Sequence, residues 1–293
     1  MEIYAKNKLD ENMYDKMKKG ADAIEIHLGK DYLEDVMNGD ENLKTNVPIG
    51  VVHAPLMDGM DMTIETLDGR KALNKTCQLA VSIARRQKHP IIVVCHLETH
   101  PDVLKQLGVY DNLVEHMREL ADVYPELEFA VENVPYFKRK DDKLTFRQSN
   151  HMSSVIFVKD VNHPRVGTCL DTCHALMELH FLKHALPYFE GVEFEDTQRE
   201  LEGGLRNIFK ANKDVVKLIH LATIKTHGMD FDHGLPFEEE DATLLNGILD
   251  LYDMYGYECP MTLEVQEQSY EDAKNFDKTN KLLRKLLEER NNK

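Results

Sequence analysis

Six consecutive segments that read as strands each close on a side chain able to hold a metal ion: His53, His96, Glu132, Asp171, His220 and Glu264. The clearest is Val166-Gly167-Thr168-Cys169-Leu170-Asp171-Thr172-Cys173-His174, an apolar run that breaks into Asp-x-x-His. A carboxylate and an imidazole three positions apart make a half-site suited to Zn, Mn or Fe, since the pair combines hard oxygen with borderline nitrogen. The stretch after His220 adds Asp230, Asp232 and His233. Each residue alone has a plainer explanation. A strand-end His is more often hydrogen-bonded structure than ligand, and Asp-x-x-His can simply cap a helix. Six strand ends in succession are harder to assign to such coincidences. The ligands also outnumber what one ion needs, so two or three ions are expected.

The elements that must position these residues follow from apolar periodicity. Eight strand-like runs appear: Met1–Ala5, Ala23–Leu28, Pro48–His53, Ile91–His96, Glu128–Asn133, the Val166 run, Val215–His220 and Met261–Val265. Most are followed by amphipathic helical stretches, near Asp31–Met37 and over Arg70–Gln87, Asp111–Val123, Met152–Val158, Ala175–Ala211, Ala242–Tyr255 and Glu271–Glu289. The polar segment Lys138–Arg147 interrupts the rhythm, and the chain from His220 to Glu240 reads as a loop. Eight β/α units predict a closed (β/α)8 barrel, α/β in class, with 1–293 as one domain. In such a barrel the carboxyl ends of the strands share one rim, where ligands and chemistry collect. An open doubly wound sheet fits less well, because no glycine-rich phosphate fingerprint follows the first strand.

Composition narrows the class. The chain has 293 residues, 42% hydrophobic and 30% charged, which is ordinary for a soluble globular protein. No run approaches the ~20 apolar residues of a membrane span, and Met1-Glu2-Ile3-Tyr4-Ala5-Lys6 lacks a signal-peptide layout. Five scattered cysteines fit a reducing compartment, so a cytoplasmic location is expected. Cys169 and Cys173 are read as packing residues. A net charge of −16 opposes non-specific nucleic-acid binding, which needs Lys and Arg on phosphates.

With these residues in view, the chain resembles the xylose-isomerase-like barrel superfamily, and within it the endonuclease IV branch. The motif that carries this is Cys169-Leu170-Asp171-Thr172-Cys173-His174, with Val-Val-His53-Ala-Pro, Val-Val-Cys-His96, Val-Glu132-Asn, Ile-His220-Leu and Leu-Glu264. The resemblance implies a multinuclear zinc or manganese centre held by His53, His96, Glu132, Asp171, His174, His220, Asp230, His233 and Glu264. The branch's Asp-x-His is replaced here by Asp230-Phe231-Asp232-His233, so the loop carboxylate is Asp230 or Asp232. Leu56-Met57-Asp58 stands where the branch places DNA-facing Tyr and Asn, and Ala222-Thr223-Ile224-Lys225 keeps only its lysine. Gly20-Ala21-Asp22-Ala23-Ile24-Glu25-Ile26, in contrast, is similar to the second strand of sugar isomerases and epimerases, which hold one ion with two Glu, an Asp and a His. Those would be Glu132, Asp171, His220 and Glu264.

Two activities follow from the resemblance. The main expectation is a phosphoester hydrolase using a metal-activated water, with Glu132, Glu264 and Asp171 at the chemistry. The alternative is a sugar or sugar-phosphate isomerase or epimerase, in which Glu132 and Glu264 move protons as acid and base. The substrate is then a small phosphoester, a sugar or damaged nucleic acid, with no membrane or protein partner indicated. A non-catalytic binding barrel is the remaining reading.

Overall fold

The structure is a computed structural model that describes residues 1–8, 12–28, 46–55, 63–134, 137–140, 143–146, 149–184, 202–227, 230–267 and 273–292. Eight strands close into a parallel barrel: β1 (Ile3–Asn7), β2 (Ala23–His27), β3 (Ile49–His53), β4 (Ile91–His96), β5 (Leu127–Glu132), β8 (Val166–Asp171), β9 (Val216–Leu221) and β12 (Met261–Leu263). Around the ring the order is β1, β12, β9, β8, β5, β4, β3, β2, so each strand pairs with its predecessor in the ring and β12 seals against β1. This is the barrel that the eight-unit reading predicts.

The alternation of side chains explains the layering. On β2, Ile24 and Ile26 face outward into the main core, whereas Ala23, Glu25 and His27 share the opposite parity. The same parity gathers Tyr4, Ala23, Val51, Val94, Ala130, Cys169 and Leu218 into a small apolar cluster inside the barrel. Two residues further along six of these strands come Lys6, Glu25, His53, His96, Glu132 and Asp171, with His220 above Leu218 on β9. The apolar layer forms a dry floor beneath a ring of ionisable groups.

Helices shield the outer face. Among them α1 (Asn12–Lys18) and α2 (Leu67–Gln87) precede β2 and β4, and Thr66 caps α2 by accepting from the Gly69 amide at 2.9 Å. Beyond β4 come α3 (Pro101–Gln106) and α4 (Tyr110–Val123); α5 (His151–Val161) leads into β8. The stretch read as helical over Ala175–Ala211 overlaps α6 (Thr172–His184) and α7 (Leu205–Asn212), while α8 (Ala242–Met254) and α9 (Lys274–Asn291) close the outer ring.

Three readings need correction. The first strand runs to Asn7 rather than stopping at Ala5, because Lys6 and Asn7 pair with Glu25 and Ile26 on β2. The polar Lys138–Arg147 segment holds an antiparallel hairpin, β6 (Phe137–Lys140) with β7 (Lys143–Phe146). The supposed loop after His220 holds a second hairpin, β10 (Thr223–His227) with β11 (Asp230–Leu235). Both hairpins satisfy their backbone groups locally, which polar sequence alone does not reveal. The helix near Asp31–Met37 and the Leu56-Met57-Asp58 loop lie outside the described residues.

Candidate metal centre

Backbone clamps set the rim. The Asn133 side chain accepts from the Asp171 amide at 2.7 Å and donates to the Asp171 carbonyl at 3.1 Å, tying the end of β5 to that of β8. The Thr172 hydroxyl donates to the Ala222 carbonyl at 2.9 Å, tying β8 to β9. The Asp171 carboxylate accepts from the His174 amide at 2.6 Å, so it caps α6 as well as facing the centre. The plain and the chemical readings of Asp-x-x-His therefore coexist.

Glu132 is the hub. Its Oε2 lies 2.8 Å from His96 Nε2 and 3.1 Å from His53 Nε2; its Oε1 lies 3.2 Å from His174 Nδ1 and 3.5 Å from His220 Nδ1. Three groups of prospective ligands share it: His53 with His96, Asp171 with His220 and Glu264, and Cys169 with His220. In the second group His220 Nδ1 lies 2.5 Å from Glu264 Oε2 and 3.9 Å from Asp171 Oδ2. His174 and His233 line the same cavity, of about 260 Å³, as Glu132, Asp171 and Glu264. Asp232 is exposed and pairs with His227 Nε2 at 3.2 Å, so it is not brought to the centre; the Asp230 side chain lies outside what the structure describes. Cys173 accepts from the Gly234 amide, and Cys169 is fully buried beside His220, where burial pushes its thiol well up.

Whether these residues suit a cation can be judged from their hydrogens. The His53 Nδ1–H donates to the Ala54 carbonyl at 2.8 Å, and burial followed by the Lys6 ammonium holds its imidazole below the usual range. A neutral His53 then presents a bare Nε2 lone pair to a carboxylate oxygen. His220 Nδ1 and Glu264 Oε2, 2.5 Å apart, form an ion pair while His220 is protonated and become two facing acceptors once Nδ1 gives up its proton. Acceptors brought face to face in a dry interior are costly unless a cation lies between them. The donor set fits a divalent ion at His53–His96–Glu132 and another at Glu132–Asp171–His220–Glu264.

The electrostatics agree. Burial pushes the Glu132 carboxyl up, but His96 and His220 outweigh it and hold the group well below the carboxylate range. Lys6 and His220 do the same for Glu264. Burial, with Glu132 and Glu264 beside it, pushes Asp171 up to about 6. Burial pulls His174 down, yet Asp171 and then Glu132 carry it up to about 9. Burial also opposes the His220 cation, but Cys169, Glu25, Glu264 and Glu132 raise that imidazole far above its ordinary range.

Three residues of the centre were missed from the sequence, His27 because its run was read through to Leu28. Glu25 lies mid-strand, and its Oε2 is 3.0 Å from His220 Nε2. Lys6 contacts Glu264 and stands 3.6 Å from Glu25 Oε1. His27 ends β2 with its ring centroid 5.3 Å from that of His53, and burial with the Lys6 charge pushes it down to about 3. An inward-parity charge in an otherwise apolar strand was the available signal for Glu25 and Lys6.

A profile described as "xylose isomerase-like TIM barrel" matches residues 17–286. Comparison with curated proteins gives no match. Among solved structures, a D-tagatose 3-epimerase-like protein is 17% identical, with a TM-score of 0.61 over 100% of this chain and 99% of that one. The 3-keto-D-glucoside 4-epimerase of E. coli is 13% identical, at 0.58 over 97% and 99%. A D-allulose 3-epimerase from Methylomonas sp. is 16% identical, at 0.57 over 99% and 98%. At these identities the likeness is one of fold.

Proposed function

Since the chain belongs to the xylose isomerase-like TIM barrel family, we propose that it is a divalent-metal-dependent isomerase or epimerase of a small ketose sugar. One observation carries this reading: Glu132 and Glu264, both held as carboxylates, face a single cavity of about 260 Å³ together with Asp171. A bound divalent ion, Mn²⁺ or Zn²⁺, would polarise the substrate carbonyl and its neighbouring hydroxyl. One glutamate then takes a proton from the carbon beside the carbonyl and the other returns one, each acting within hydrogen-bond reach. His174 and His233 on the cavity wall are placed to orient hydroxyls. Epimerase neighbours matched over nearly their full length support this reading over the hydrolase expectation, and one is solved in complex with D-allulose.

A second reading, a phosphoester hydrolase with two ions, is favoured by the His53–His96–Glu132 group, which a one-ion isomerase does not need. The net charge of −16 weighs against a nucleic-acid substrate for either chemistry. The test supplies protein loaded with Mn²⁺ or Zn²⁺ with D-tagatose, D-allulose and D-fructose in D2O, alongside a small phosphodiester and abasic duplex DNA. Interconversion of a ketose with deuterium incorporated at carbon is expected. Phosphoester cleavage with every sugar unchanged would overturn the isomerase.

A further inference from the structure

We propose that Glu25 is a positioning residue for the metal centre, fixing which nitrogen of His220 is left bare to face Glu264. The inference rests on the reading that Glu132, Asp171, His220 and Glu264 hold a divalent ion. Glu25 is fully buried, on inward parity in β2, three positions round the barrel from the strand that carries His220. Their contact therefore crosses the barrel interior and owes nothing to strand pairing. An ionised carboxylate can only accept, so the 3.0 Å contact between Glu25 Oε2 and His220 Nε2 places a hydrogen on Nε2. The imidazole of the metal-holding form has one hydrogen, and Nδ1 is consequently a lone pair, 2.5 Å from Glu264 Oε2.

Lys6 completes the arrangement. Its ammonium contacts Glu264 and lies 3.6 Å from Glu25 Oε1, so one cation braces the carboxylate that orients His220 and the carboxylate that faces it. Without Glu25, His220 Nε2–H would lose its buried carboxylate acceptor, and the ring would gain by placing its hydrogen on Nδ1, toward Glu264 and Asp171. That tautomer cannot ligate from Nδ1. Carboxylates behind metal-bound imidazoles are worth about tenfold to a hundredfold in affinity where they have been removed.

The experiment titrates metal-free full-length protein with Mn²⁺ and with Zn²⁺ by calorimetry, comparing wild type, Glu25→Ala and Glu25→Gln, and records the ring ¹⁵N and ¹³C shifts of His220 in the Zn²⁺-loaded forms. Glu25→Ala should bind about tenfold to a hundredfold more weakly. Glu25→Gln should recover most of the loss, because its amide oxygen still accepts from Nε2–H. Wild-type shifts should report metal on Nδ1. Glu25→Ala binding as tightly as wild type would overturn the role of Glu25 while leaving the proposed function intact. Should Glu25→Ala not fold, wild-type shifts showing metal on Nε2 would overturn it alone. Wild-type protein that binds neither ion would overturn this inference and the proposed function together.

Discussion

Replacing Glu132 by Gln is the most informative single change, because both prospective ion sites share that carboxylate. The substitution preserves volume, and the new amide can donate to the bare Nε2 of His53, so the fold should survive. What it removes is charge. With four imidazole nitrogens between 2.8 and 3.5 Å away, each full charge pair is worth about 5 kcal/mol at an effective dielectric of ~20. Losing even half of one such interaction, about 2.7 kcal/mol, is a factor of ~100 in an equilibrium or a rate. Metal retained per chain after dialysis should therefore fall at both sites, and turnover by at least ~10²-fold. Independently of metal, His174 should titrate lower. Asp171 remains, so of the rise from 6.5 to about 9 about one to two units should disappear, as expected for one nearby charge. Elemental analysis and NMR titration of the His174 ring measure the two effects. A Glu132→Gln protein with unchanged metal content and an unchanged His174 titration would refute the hub role.

Three further outcomes follow from the same geometry. Glu264→Gln should lower turnover by at least ~10²-fold while sparing whatever ion His53 and His96 hold; near-normal rates would remove Glu264 from the chemistry. His96→Ala should reduce the metal content by one ion if two are bound, and elemental analysis showing the same stoichiometry as wild type would dismiss the second site. In metal-free protein, His174 has a raised folded value, so its contribution is fully present below 6.5 and is lost as pH rises through about 9. Asp171, raised to about 6, loses stability in the same direction at lower pH. The His174 shift corresponds to about 3 kcal/mol at most, so the melting temperature of metal-free protein should fall between pH 6.5 and 9, and a flat profile would contradict the assigned electrostatics.

Much of this was legible from residue types. A strand buried on both faces reads as an apolar run, so its first ionisable residue is conspicuous, and His53, His96 and Asp171 stand out for that reason. The barrel followed from counting such runs. Lys6 and Glu25 were less visible because they lie inside or beyond the apparent strand rather than closing it. In β1 the lysine falls just past the apparent run Met1–Ala5, although it pairs in register with Glu25. Only parity, counted from Tyr4 and Ala23 inward, places both in the ring. The hairpin carrying His233 was hidden for another reason: polar strands stabilised by their own cross-strand pairs lack the apolar alternation that marks a strand against a core.

The ring also explains why the centre needs positive charge. Glu25, Glu132 and Glu264 surround Lys6, and Asp171 lies beside Glu132 and Glu264, over an apolar floor that admits little screening. Without an ion the deficit is met by protons: Asp171 titrates near 6, and His174 and His220 hold theirs well above the imidazole range. Lys6, braced between Glu25 and Glu264, cannot move to the Glu132 side without breaking both contacts. A divalent ion held by Glu132, Asp171, His220 and Glu264 would be the compact alternative, supplying two charges in place of labile protons. An ion taken up there would displace the protons of Asp171, His174 and His220, while Glu132 and Glu264, already held as carboxylates, would remain the bases of the proposed isomerisation.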